Sequence, residues 1–280
     1  MPRSSTPQSR KTPRAQRFTR KLLAWYARAA RDLPWRRTRD PYRVIVSEFM
    51  LQQTQVSRVT EYYARFLARF PTLRRLARAK PKAVREAWDG LGYYARARNL
   101  HATAKEVVGR YGATFPDDPA ELVRLPGVGR YTAGAVASFA YEKPVAAVDT
   151  NVARVIVRAF VGKEAAGRKG GDARKVWKIA AGLVPADGKR AWTFNQAIME
   201  LGALVCTARR PQCPTCPVRK ECRTGASGLS ISPPSRSPAP PAPESPPPSR
   251  RSPAASAARR TTPAGLRSRA RGARAAPRSG

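Results

Sequence analysis

Histidine, acidic residues and long apolar runs are scarce in this chain. One histidine, His101, stands among 280 residues; it has no metal-binding partner nearby in sequence and reads as structural. No apolar run approaches the ~18 residues that a membrane-spanning helix requires, and the N-terminus has no apolar core of signal-peptide length. An intracellular protein is expected. The Arg/Ser-rich, acid-poor start reads as a plain basic arm, with an organellar transit segment as the alternative. After residue 225 large apolar side chains all but vanish, which excludes a packed core there.

Lys and Arg number 54 against 18 Asp and Glu, a formal net charge of +36. Residues 1–20 hold six basic and no acidic residues, while residues 225–280 hold ten Arg, one Glu and twelve of the 27 prolines. Neither end can bury enough surface to offset its ordering entropy, so a disordered basic arm over 1–17 and a disordered Pro/Ser/Arg-rich tail over 225–280 are expected. With +6 and +9 assigned to these ends, +21 remains on residues 21–224. So one-sided a charge on a folded region points to a polyanionic partner, nucleic acid first.

Between the ends the periodicity is helical. Leu22, Leu23, Trp25 and Tyr26 recur at helical spacing from Phe18 onward, and Asp32-Leu33-Pro34-Trp35-Arg36 closes that helix. Asp40 before Pro41 is a good N-cap for a helix that turns Tyr42, Ile45, Val46, Phe49 and Met50 inward. Further helices are predicted at about 55–69, 82–89, 94–110, 119–124, 130–141, 151–160, 173–183 and 190–203, with a Gly/Lys-rich loop at 162–171. Strand-like alternation is scarce, and the fold class is all-α.

Two motifs carry chemistry. Leu125-Pro126-Gly127-Val128-Gly129-Arg130-Tyr131-Thr132-Ala133 opens a tight turn into a helix: Gly127 and Gly129 can take positive φ, and Val128 to Tyr131 fall at the helix N-terminus, where outward amides suit a DNA phosphate. Taken alone, Gly-x-Gly before a helix is as often a mere tight connection. Cys206, Cys213, Cys216 and Cys222, spaced C-x6-C-x2-C-x5-C, are all the cysteines present. Disulfides do not suit an intracellular chain, structural zinc usually takes two close cysteine pairs where this set has one, and four thiolates can also hold a [4Fe–4S] cube.

The hairpin with Val148-Asp149-Thr150-Asn151-Val152, the stretch Val46-Ser47-Glu48-Phe49-Met50-Leu51-Gln52-Gln53-Thr54-Gln55-Val56, and Leu91-Gly92-Tyr93-Tyr94-Ala95-Arg96-Ala97-Arg98-Asn99-Leu100 together resemble the helix-hairpin-helix DNA glycosylases, and within them the MutY-type adenine glycosylases. The match covers about residues 18–225. It implies a two-lobed helical fold over 18–205, one lobe from helices between about 42 and 160, the other from the N-terminal helix and helices after about 165. It also implies an iron–sulfur loop over 206–222 whose four cysteines hold a [4Fe–4S] cluster for DNA contact, not for hydrolysis.

By the same resemblance the chain is a base-excision-repair enzyme, a monomer, that removes adenine mispaired with 8-oxoguanine or guanine in double-stranded DNA. Glu48, in an otherwise apolar turn where burial should raise its pKa, is the candidate general acid. Asp149, a helix N-cap that should stay ionised, would stabilise the developing sugar cation or attack it transiently. Tyr131 occupies the position where glycosylase/lyase relatives carry a Schiff-base lysine; a phenol cannot form that imine, so no strand cleavage is expected, and Tyr131 could position Asp149. Asn151 completes the catalytic set, while Thr150 departs from the glycine common in these proteins. Trp35, Arg36, Leu51, Val56 and Glu200 would line the adenine pocket, with Glu200 able to accept from the exocyclic amine; Gln53 and Tyr93 would wedge the base stack. Gly127, Val128, Gly129, Gln52 and Thr54 would contact DNA.

The resemblance ends near residue 225, where typical relatives continue into a MutT-like domain that reads the lesion; none is expected here, which leaves 8-oxoguanine against guanine preference open. A thymine mismatch glycosylase of the same fold and a non-catalytic DNA-binding protein are the alternatives. Such an enzyme would reside in a bacterial cytoplasm with the nucleoid, or in an organelle or nucleus in a eukaryote.

Overall fold

The computed structural model describes residues 12–162 and 173–226. The expected arm before residue 12, most of the 162–171 loop and the tail beyond residue 226 lie outside the described residues.

The first helix, α1 (Pro13–Ala29), starts five residues earlier than Phe18, so the expected arm is shorter than 1–17. The Thr12 side chain accepts from the Ala15 amide, proline fills the first turn, and Ala15 is already buried. A short 3-10 turn (Pro34–Arg36) leads into α2 (Pro41–Leu51), where Asp40 accepts from the Tyr42 amide at 2.9 Å. Every residue from Val44 to Met50 is buried, so α2 is packed on all sides and not on one face as expected. There follow α3 (Val56–Arg69), α4 (Leu73–Ala77), α5 (Pro81–Ala87), α6 (Ala95–Arg110), α7 (Pro119–Leu122) and α8 (Arg130–Tyr141). After α8 come α9 (Thr150–Ile156), which runs on as a π turn to Val161, then α10 (Ala173–Leu183), α11 (Gly188–Leu204) and the single turn α12 (Arg223–Ala226). No strand occurs among the described residues, and no helix among them is long and apolar enough to cross a membrane.

The apolar side chains form two cores. One runs from Leu33 to Ala147; the other joins Ala15, Phe18, Leu22 and Tyr26 of α1 to Val148, α9, α10 and α11. This corrects the expected division at about residue 160. Val152, Val155, Ile156 and Ala159 pack in the second core, so the boundary falls between Ala147 and Val148. The chain therefore changes lobe twice: once near residues 30–33 and again immediately before Asp149.

That second crossing is fastened by close packing and by one buried amide. A Cβ on Gly134 of α8 would lie 2.4 Å from the Ala146 carbonyl oxygen, so only glycine lets the crossing segment press on the helix. Asn195 of α11 donates to Ser138 Oγ at 2.9 Å and to the Val145 carbonyl at 2.8 Å, and its oxygen accepts from the Ala147 amide. These contacts fix the backbone two residues ahead of Asp149.

Candidate active site

Glu48 and Asp149, the two candidate catalytic carboxylates, open onto one cleft of about 870 Å³ between the lobes, together with Trp35, Arg36, Leu51, Val56, Tyr131, Asn151 and Glu200, and with Gln52, Gln53 and Thr54 at its wall. Tyr93 is not part of that lining; it stands 63% exposed on the 90–93 loop. Gln53 and Thr54 also wall a second groove of about 780 Å³ shared with Gly90, Leu91 and Gly92. Gln53 and Tyr93 both hold positive φ, 56° and 47°.

Glu48 is 4% exposed, and its Oε2 is buried with no partner. Burial pushes its pKa up to about 7; a hydrogen bond from the Tyr131 hydroxyl works against that rise, and the charge of Asp149 adds to it. Tyr131 itself is held neutral far into the alkaline range, by burial first and then by the two carboxylates. Tyr131 therefore stands within the field of both carboxylates, Glu48 and Asp149.

Asp149 is the N-cap of α9. Its Oδ1 accepts from the Val152 amide at 2.7 Å and its Oδ2 from the Asn151 side-chain amide at 2.9 Å. Burial raises its pKa above the ordinary value, while those two donors and the nearby Arg154 guanidinium restrain the rise. Asn151 is fixed in turn, because its oxygen accepts from Arg154, which also donates to the Gly202 and Cys206 carbonyls. Two carboxyl groups thus share a cleft in unlike settings: one dry and partly unpartnered, one met by donors.

Glu200 lines the cleft with its side chain fully buried and held by two arginines. Oε1 accepts from the Arg31 amide and from Arg31 Nε, and Oε2 accepts from Arg31 Nη2 and Arg36 Nη2, each at 2.8–3.0 Å. A carboxylate offers about four lone-pair sites, and Arg31 and Arg36 supply four donors to them. Burial alone would raise the Glu200 carboxyl, but hydrogen bonds from Arg31 and Arg36 outweigh it and bring it down to about 2. Arg36 is equally occupied, with Nε on Gln196 and Nη1 on the Arg31 carbonyl. Arg31 and Gln196 went unnoticed in the sequence. The signal was a buried acid one helical turn beyond Gln196, which demands a cation from elsewhere.

In the hairpin, Gly127 takes φ 73° and is exposed, and a Cβ there would lie 2.6 Å from Asn99. Gly129 departs from expectation with φ −87° and caps α8 without a side chain, so the first amides of that helix keep no side-chain acceptor. Val128 is buried and its amide bonds the Leu125 carbonyl, which removes it from the expected DNA contacts. His101 is buried beside the backbone of Ala77 and Ala79, with its Nε2 left unpartnered.

Cys206, Cys213, Cys216 and Cys222 are free thiols around one small apolar pocket. Arg158 reaches Cys206 Sγ at 3.4 Å, and the Gly225 amide reaches Cys222 Sγ at 3.3 Å. Burial pushes the Cys216 thiol up to about 12 and raises Cys222 as well. The thiols do not close into a ready ligand shell among the described residues, yet four sulfurs around one dry pocket, two of them with hydrogen-bond donors, fit a group bound through thiolates.

The HhH-GPD superfamily of base excision DNA repair proteins matches residues 46–178. The adenine DNA glycosylase of Mycolicibacterium smegmatis is 47% identical over 209 residues, 74% of this chain and 69% of that protein. The rat adenine DNA glycosylase is 45% identical over 232 residues, but the chain spans only 44% of its length. In structure, a thermostable thymine-DNA glycosylase matches with a TM-score of 0.70 at 30% identity, over 76% of this chain and 97% of that one. Two thirds of the mycobacterial protein is matched at close to half identity, so this chain belongs to the HhH-GPD superfamily of base excision repair proteins and, within it, to the adenine DNA glycosylase family.

Proposed function

We infer that this chain hydrolyses the N-glycosidic bond of adenine mispaired with 8-oxoguanine or guanine in duplex DNA, and leaves the strand intact. The observation that carries the reading is Glu48: a carboxyl with a pKa of about 7, one oxygen buried without a partner, opening on the same cleft as a second carboxylate that already holds two donors. Departure of a base requires a proton on its ring nitrogen and negative charge beside the sugar cation. Glu48 supplies the proton at adenine N7. Asp149, oriented by Asn151, faces the C1′ cation. Tyr131 has no amine with which to form an imine, so the reaction ends at an abasic site.

The hairpin amides and the basic surface hold the backbone, and Gln53 with Tyr93 enters the stack as the base is extruded, a step required of glycosylases in general. Cys206, Cys213, Cys216 and Cys222 would hold a [4Fe–4S] cluster. Once bound it supplies four iron–sulfur bonds that pin the 206–222 loop, whose Arg209, Arg210, Arg219 and Lys220 face the polyanion. The purified protein should then carry about four irons per chain; stoichiometric zinc without iron would overturn this assignment.

The structural likeness to a thymine-DNA glycosylase favours one other reading, release of thymine from T:G. Thymine offers only carbonyl oxygens to the Glu48 proton, whereas adenine has a basic ring nitrogen. Single-turnover excision from A:8-oxoG, A:G, A:T and T:G duplexes decides between them. Adenine release from the first two, with strand breaks only after separate alkali treatment, is expected. Asp149→Asn should keep duplex affinity and lose excision by about 10³-fold. Preferential thymine release would replace the reading with the alternative.

A further inference from the structure

Arg96, in the first turn of α6, is 6% exposed and meets no carboxylate among its hydrogen-bond partners, all of which are main-chain carbonyls. The two prongs of its guanidinium divide between two loops. Nη1 donates to the carbonyls of Phe49, Met50 and Gln52, where α2 ends and its last acceptors have no helical partner. Nη2 donates to the carbonyls of Leu91 and Gly92 at 3.1 Å each. The guanidinium lies 5.5 Å from the ring centroids of both Trp88 and Tyr93, so the wedge tyrosine rests on the same cation.

The residues next to those carbonyls are Gln53 and Tyr93, each in a left-handed conformation that a side chain of this size adopts only when its surroundings over-determine it. The geometry points to Arg96 as the positioning residue that locks the Gln53 loop and the Tyr93 loop into a single rigid wedge. This inference rests on the reading of Gln53 and Tyr93 as wedge residues. An arginine is required because its planar fork serves both loops at once, whereas a lysine ammonium is a point donor that can reach only one. The cation does not touch the excised base. Its effect should fall on extrusion and leave the chemistry of Glu48 and Asp149 alone.

The test uses the full chain and Arg96→Lys, which keeps the charge. Amide hydrogen exchange in residues 51–55 and 90–94 should speed up together by about tenfold, with the hairpin 125–131 unchanged. Single-turnover excision of adenine paired with guanine should slow by about tenfold, while adenine facing an abasic site, already free of its partner, should be released at nearly the wild-type rate. Tyr93→Ala provides the second variant: it removes the wedge side chain but leaves all five carbonyl bonds, so the paired substrate slows while exchange in 51–55 stays slow. The proposal is overturned if Arg96→Lys loosens neither loop or only one, if it slows both substrates equally, or if Tyr93→Ala alone frees 51–55. Should the wild-type protein release no adenine from any duplex, the glycosylase reading fails, and the exchange comparison still decides whether Arg96 locks the loops.

Discussion

Tyr131 lies against Glu48 and holds its carboxyl towards the ionised form, while Glu48 Oε2 is buried without a partner. The phenol favours the ionised carboxyl, burial favours the protonated one, and burial wins by enough to bring the pKa to about 7.

Excision should therefore fall as pH rises through about 7, because the proton required by the leaving base is lost from Glu48. On the acid side it should fall as Asp149 protonates, at a pH above the ordinary carboxylate range because burial raises that group too. Tyr131→Phe removes a donor to the ionised form, so the alkaline limb should move upward. A pH profile of the single-turnover rate reads both limbs; an alkaline limb that stays in place in Tyr131→Phe would show that Glu48 does not set it.

Stability should show the opposite face of the same pKa. Glu48 titrates near 4.5 when unfolded and near 7 when folded, so the folded state holds its proton more tightly. Its contribution is fully present below pH 4.5 and is lost between there and pH 7, by roughly 3 kcal/mol in all. Glu48→Gln should thus match the wild type in urea unfolding at pH 4.5 and exceed it by about 3 kcal/mol at pH 8. Equal stability at both pH values would place the acid with the raised pKa elsewhere.

Glu200→Ala should damage the fold before it damages recognition. It strands the Arg36 guanidinium, nearly buried, beside Arg31, which is one-third exposed. Removing one partner of such a network costs about 3–5 kcal/mol. Thermal unfolding should register the loss; a variant of normal stability with weakened adenine selectivity would instead make Glu200 a direct ligand to the base.

Gly127→Ala combines a left-handed φ of 73° with an overlap on Asn99. A cost of about 1–3 kcal/mol is expected at the hairpin. Duplex affinity should drop without regard to the mispair, because amides at a helix N-terminus suit phosphate and do not read bases. Mispair-specific weakening would contradict that role.

Features set by neighbouring residues were legible in the sequence. Asp40 caps α2, Asp149 caps α9, the 125–131 hairpin turns, and the four cysteines surround one pocket, because each pattern spans fewer than twenty residues. The features that escaped depend on distant partners. Arg31 and Glu200 are 169 positions apart, and Arg96 serves carbonyls up to 47 residues away, so no local period announces either. The loss of Val128 as a DNA contact and the negative φ of Gly129 have the same origin: Gly-x-Gly permits several turns, and packing on Asn99 selects one. The helix α4 was missed because five residues between Phe70-Pro71 and Lys80-Pro81 are too few to display periodicity.

The double crossing between lobes puts the two cleft carboxylates on different lobes. Trp35 and Glu48 lie on the lobe that the chain enters at the first crossing, while Asp149 follows the second crossing into the other lobe. The spacing of the two carboxylates is thus a gauge of lobe against lobe. Any shift of one lobe against the other would therefore alter the separation of the acid and the ion.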